Sequence, residues 1–188
     1  MDNRHEHFLY RTRAHLYLVR KWSDKIADAF ADDDRLSVYL LNAERDRHDQ
    51  TKFEEPEYSA YVNITWKYYC KRHGLPFESN PELDEAMHIA TYHHIKNNRH
   101  HPEYWDDATT LDDSLDRGNR DGVPSRIVDG TKMPLTYIAA MCADWCAMAE
   151  ELGKNTPQEW GKKNINIRWK FSDKQVEFIY EILDKVWK

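Results

Sequence analysis

The sequence predicts an all-α protein. Apolar residues recur at helical spacing in one segment after another, prolines fall where helices begin, and polar capping patterns mark two further starts. From Phe8 to Phe30, His15, Val19, Trp22 and Ile26 share one stripe, which sets His15 among apolar neighbours. A second helix is expected from about Leu36 to Asp49, with Leu41 and His48 two turns apart on one face. Tyr58, Tyr61, Val62, Thr65, Trp66 and Tyr69 form the clearest helical face, and Gly74-Leu75-Pro76 stops it. Pro81 opens the next helix at a first-turn position where its missing N–H costs nothing. Leu83, Met87, Ala90 and His94 lie on one side of that helix.

Residues 106–132 are rich in aspartate and show little periodicity, so they read as a long loop of the kind that serves as a lid. Pro134 begins a helix whose stripe is Ile138, Met141, Trp145, Met148 and Leu152. Thr156-Pro157-Gln158-Glu159 marks a short capped helix. Ser172 with Gln175 forms a capping box ahead of a last amphipathic helix bearing Val176, Ile179, Tyr180, Leu183 and Trp187. No repeat or low-complexity tract interrupts the chain, so 1–188 is expected to be one domain.

Composition narrows the function. The 188 residues are 40% hydrophobic and 13% aromatic, enough to close a core rather than remain disordered. A net charge of −6 disfavours a general nucleic-acid or anionic-membrane binder. No stretch approaches the roughly 20 apolar residues of a spanning helix, and Met1-Asp2-Asn3-Arg4-His5-Glu6 has no signal-peptide core. The three cysteines, Cys70, Cys142 and Cys146, are an odd count without framework spacing, which fits reduced thiols and a cytoplasmic protein.

Ten histidines stand out, four of them between His93 and His101. His94 and His101 are two turns apart and line one face if the helix continues, although Pro102 ends it nearby. His48-Asp49 is a ligand doublet whose members point about 100° apart on a helix, so both reach one ion only near a helix end. Asp144 lies in Met141-Cys142-Ala143-Asp144-Trp145-Cys146, where a carboxylate needs a metal, a cationic partner or a helix N-terminus to offset desolvation. Each feature has a plainer explanation: a surface pair, a core histidine bonded to a carbonyl, a solvated imidazole cluster. Cys142 and Cys146 lack the further cysteine pair of a structural zinc site and read as core thiols.

Taken together, the ordered set resembles the HD-domain metallohydrolase superfamily, with His15 on one helix, His48-Asp49 on the next and a distant Asp144. His48-Asp49-Gln50-Thr51-Lys52 is similar to the HD-x-x-K element of the HD-GYP branch. His94 and His100-His101 resemble the extra histidines of its two-metal members. The chain departs from that branch after the His-His pair, where Glu103-Tyr104-Trp105 replaces Gly-Tyr-Pro, and this weighs against cyclic-dinucleotide cleavage. Asn98-Arg99-His100-His101-Pro102-Glu103-Tyr104-Trp105 resembles an uncharacterised bacterial and phage branch.

The resemblance implies an HD-like helical bundle holding one or two divalent ions (Fe, Mn, Zn or Mg). His15, His48, Asp49 and Asp144 would hold the first. His94 with His101, or with His100 in its place, would hold the second. The implied activity is hydrolysis of a nucleotide or another small phosphate ester, with Asp49 and Lys52 catalytic. Lys52, Arg99 and Arg126 would bind the substrate, and Arg11 is a weaker candidate. Two rivals remain: a di-iron oxygenase acting on a small polar substrate, since the superfamily pattern also supports myo-inositol oxygenase, and a non-enzymatic binding module of the same fold.

Overall fold

A computed structural model describes residues 3–118 and 122–188. The chain is all-α, with eight helices and one two-stranded sheet among these residues.

Helix α1 (Asn3–Ala29) buries Phe8, Thr12, His15, Val19, Trp22 and Ile26, the repeating three-and-four spacing of one helix face. Helix α2 (Val38–Arg47) starts at Ser37, whose hydroxyl accepts from Leu40 N at 3.3 Å. It ends two residues earlier than the sequence predicts: His48 caps it and Asp49 lies outside, in the left-handed region at φ 57. Aspartate is one of the few non-glycine residues that tolerate this conformation. A 3₁₀ turn, Gln50–Phe53, follows.

Helix α3 (Glu57–His73) stops at Gly74, whose φ of 66 suits a residue without Cβ. Helix α4 (Pro81–Asn97) is capped by Asn80 and has Pro81 in its first turn. A second 3₁₀ turn, Pro102–Trp105, leads to α5 (Asp112–Gly118).

The 106–132 segment is therefore only partly the loop expected. It contains α5 and strand β1 (Val128–Asp129), which pairs in parallel with β2 (Trp169–Lys170). Residues 119–121 of it lie outside the described residues. Polar bonds rather than an apolar stripe organise this segment, which is why periodicity missed it. Arg126 donates to Asp113 Oδ1 and Oδ2 at 2.9 and 3.0 Å and to Asp106 Oδ2 at 2.7 Å. Asp106 Oδ2 also accepts from Asp129 N at 2.9 Å.

Helix α6 (Leu135–Leu152) is the axle of the fold, buried along Ile138–Ala143 and again at Trp145, Cys146 and Ala147. Helices α1, α2, α7 (Pro157–Asn164) and α8 (Asp173–Val186) pack around it. Each large side chain taken fully out of water there, such as Ile138 or Ile182, stabilises the fold by about 1.5–3 kcal/mol. The predicted capping box at Ser172/Gln175 is formed, and the short helix expected after Thr156 carries a capping box of its own between Thr156 and Glu159. Among the described residues, no helix is long and apolar enough to cross a membrane.

Candidate metal centre

Five elements converge on one buried cluster. His15 projects from the middle of α1 and Asp144 from the middle of α6, the two helices that pack most extensively. His48 and Asp49 come from the break after α2, His94 from the last turn of α4, and His100 and His101 from the turn before Pro102. The left-handed backbone at Asp49 is what lets a sequential doublet aim both side chains inward. On a continued helix they would diverge. The same logic corrects the expectation for His94 and His101. Helix α4 ends at Asn97, so a reversal of the chain rather than a shared helical face brings the two rings within 4.8 Å.

The cluster has two halves. In one, possible ligand atoms of His15, His48 and Asp144 all lie within 4.8 Å of one another; in the other, those of Asp49, His94, His100 and His101 do. His15 Nε2 is 3.1 Å from Asp144 Oδ1, and His48 Nε2 is 3.8 Å from the same oxygen. Asp49 Oδ1 has three imidazole Nε2 atoms around it, those of His94 at 3.2 Å, His100 at 3.6 Å and His48 at 3.7 Å. Asp49 Oδ2 lies 3.9 Å from His15 Nε2 and accepts from Lys52 Nζ at 2.5 Å. Asp49 thus reaches both halves, and the His48 and His100 rings stack across the divide at 4.0 Å.

The electrostatics prepare the cluster for a cation. Burial alone would raise both aspartates, but Lys52, His48 and His94 hold Asp49 far below the usual carboxylate range, and His15, His48 and His100 do the same for Asp144. Burial pushes His48 down to about 4 and His100 well below its ordinary value. Burial also opposes charge on His15, yet Asp144, Glu151 and Asp49 outweigh it and push that imidazole up to about 9. Two anionic carboxylates beside the neutral imidazoles of His48 and His100 are protonation states that divalent ions bind, and His15 must release its proton to join them as a ligand.

Two buried atoms fit the same conclusion. His48 Nε2 and Asp49 Oδ1 face the centre with no hydrogen-bond partner, a costly state for polar atoms shielded from water. A cation between the halves satisfies both. Buried His/Asp groups here can hold a metal ion.

The candidate substrate residues are placed unequally. Lys52 is at the cluster through Asp49, because the 3₁₀ turn sets residues three apart on one side. Arg99, next to His100 in sequence, donates to Tyr137 Oη at 3.1 Å, and Glu44 Oε1 is 3.7 Å away. Arg126 is instead engaged by Asp106 and Asp113, as a clamp on its own segment. Arg11 donates to Glu151 Oε1 at 2.9 Å, behind His15.

Sequence reading missed Glu57. It is 0% exposed, and its carboxylate accepts from His93 Nδ1 at 2.7 Å and His94 Nδ1 at 2.8 Å. Burial works against its ionisation, but the His94 and His93 bonds hold it below the usual carboxylate range. Its position hid it, because an acid in the first turn of a helix is already explained by the dipole.

Fold and cluster together define an all-α protein with a buried histidine–aspartate centre able to hold metal. The chain belongs to the family of unknown function DUF5662, whose model matches residues 4–185. No curated protein and no solved structure matches the chain.

Proposed function

We propose that this protein is a metal-dependent phosphohydrolase of the HD type, acting on a nucleotide or another small phosphate ester. The observation that carries the reading is Asp49. One carboxylate, buried and held anionic, has Oδ1 among the Nε2 atoms of His48, His94 and His100 and Oδ2 toward His15 and Lys52. That is the placement of a carboxylate shared between two cations. His15, His48 and Asp144 would hold one ion and His94, His100 and His101 the other, with Asp49 common to both. Divalent ions bound there would polarise a phosphoryl oxygen and lower the pKa of a water.

The chain's own residues supply the rest. Lys52 puts a point charge beside Asp49, where it can contact a phosphate oxygen while keeping Asp49 ionised. Its side chain is 17% exposed and that of Asp144 is 19%, against 2–8% for Asp49, His15, His48, His94 and His100. A substrate therefore approaches from the Lys52 and Asp144 side.

The decisive experiment is phosphate release from a panel of phosphate esters, with and without added Mn²⁺, Mg²⁺, Zn²⁺ or Fe²⁺. Metal-stimulated release that vanishes in folded His48→Ala and Asp49→Ala variants is the expected result. A second reading, a di-iron oxygenase, draws on the five imidazoles of the cluster, a nitrogen-rich set suited to iron. Copurified iron with oxygen consumption and no phosphatase activity would replace the first reading with it.

A further inference from the structure

Glu57 begins α3, in the first turn, yet its side chain is wholly withdrawn from solvent. An ionised carboxylate in such a place needs hydrogen-bond donors, and it has two imidazoles, one on each oxygen. Oε1 takes His93 Nδ1 at 2.7 Å and Oε2 takes His94 Nδ1 at 2.8 Å. A carboxylate only accepts, so each ring must present Nδ1–H to it.

For His94 this has a geometric consequence. With Nδ1 donating to Glu57, Nε2 is left facing Asp49 Oδ1 at 3.2 Å, inside the cluster. Asn98 Nδ2 also approaches His94 Nδ1, at 3.1 Å, but its two protons have better acceptors in Thr51 Oγ1 at 2.8 Å and His94 O at 2.9 Å. It therefore does not compete for the proton on the ring.

In the opposite half, His15 is backed more loosely. His15 Nδ1 is 3.4 Å from Glu151 Oε2 and makes no hydrogen bond, and Glu151 Oε1 is committed to Arg11. Of His94 and His15, His94 has the closer carboxylate behind its ring.

We propose that Glu57 is a positioning residue for the centre: it fixes His94 as an Nε2 ligand and so sets how tightly the Asp49/His94/His100/His101 half holds a divalent cation. His93, half-exposed, completes the arrangement by occupying the other oxygen of Glu57. The inference rests on the metal-binding part of the proposed function, not on the phosphatase activity.

Two measurements test it, both on the full chain with Zn²⁺ as probe. The first is calorimetric titration of wild type and Glu57→Gln. The expected result is that one of two Zn²⁺ ions is weakened by about 10–100-fold, the usual consequence of removing an outer carboxylate, while the other is unchanged. The second needs no variant and stays informative if Glu57→Gln does not fold. Nitrogen-15 NMR of the Zn²⁺-loaded wild type should show His94 with a proton on Nδ1 and the metal on Nε2. Equal Zn²⁺ affinities in the two proteins, or His94 bound through Nδ1, would overturn the role of Glu57 while leaving the metal centre intact. A wild type that takes up no divalent ion would overturn both.

Discussion

The ligands of the centre are held by two opposite means. His15 and Asp144 sit mid-helix on α1 and α6, inside the best-packed interface of the fold, where neighbouring turns fix their backbone. Asp49, His100 and His101 sit where helices have ended, on a left-handed residue and on the turn before a 3₁₀ segment. A mid-helix ligand inherits its position from core packing. A ligand at a helix end must be held by its own hydrogen bonds, as Lys52 holds Asp49 and Glu57 holds His94. Rigid packing supplies one wall and local polar networks supply the other, and Asp49 is the residue common to both.

The largest expected effect comes from removing that common residue. Asp49→Asn keeps the side-chain shape and the tolerance for a left-handed backbone, yet removes the charge. Metal content measured on the purified variant should fall in both halves together. Retention of one full equivalent would show that the halves do not share Asp49.

Separating the halves is the next test. Asp144→Asn should cost the His15/His48 half its ion and leave the other, and His94→Ala should do the reverse. Each variant should therefore keep about half of the wild-type metal, measured by elemental analysis after dialysis. Loss of all metal in both variants would mean one cooperative site instead of two.

A smaller effect is expected from pH on the metal-free protein, measured as the urea midpoint of unfolding. His15, raised to about 9 from 6.5, binds its proton more tightly when folded. Its stabilisation is complete below about pH 6.5 and is lost as pH rises through 9. His48, lowered to about 4, works in the other direction: the unfolded chain takes up its proton first, so stability falls as pH drops from 6.5 toward 4. The midpoint should peak near pH 6.5, and His15→Leu should flatten the alkaline limb.

The smallest signal concerns the rigidity of the α6 wall. Cys142 and Cys146 are fully buried, and burial with Asp144 nearby pushes the Cys146 thiol up to about 12. Both should resist a thiol reagent in the native protein at neutral pH and react only on unfolding. Fast native reaction would mean that this wall opens more readily than its packing implies.

Much of the fold was legible because helices write their faces into the sequence. The α1 stripe through His15, the α6 run around Asp144, the proline starts, the capped helix after Thr156 and the capping box at Ser172 are local patterns, and each appears where expected. The boundary at Arg47 and the helix Asp112–Gly118 were not legible. The first depends on one backbone dihedral at Asp49, and the second on polar bonds among Thr110, Asp113 and Arg126. Glu57 was invisible for a related reason, since its partners His93 and His94 lie 36 and 37 residues away.

By itself, then, the sequence determined the all-helical class and the identity of the histidines and aspartates available for a metal, because periodicity and side-chain chemistry are properties of short segments. Tertiary structure alone decided that seven of those side chains meet, that Asp49 stands between two groups of them, and that Glu57 backs one ring. Those facts depend on how α1, α4 and α6 pack and on how the chain turns at residues 49 and 98–101, and no local pattern encodes a distance between remote helices.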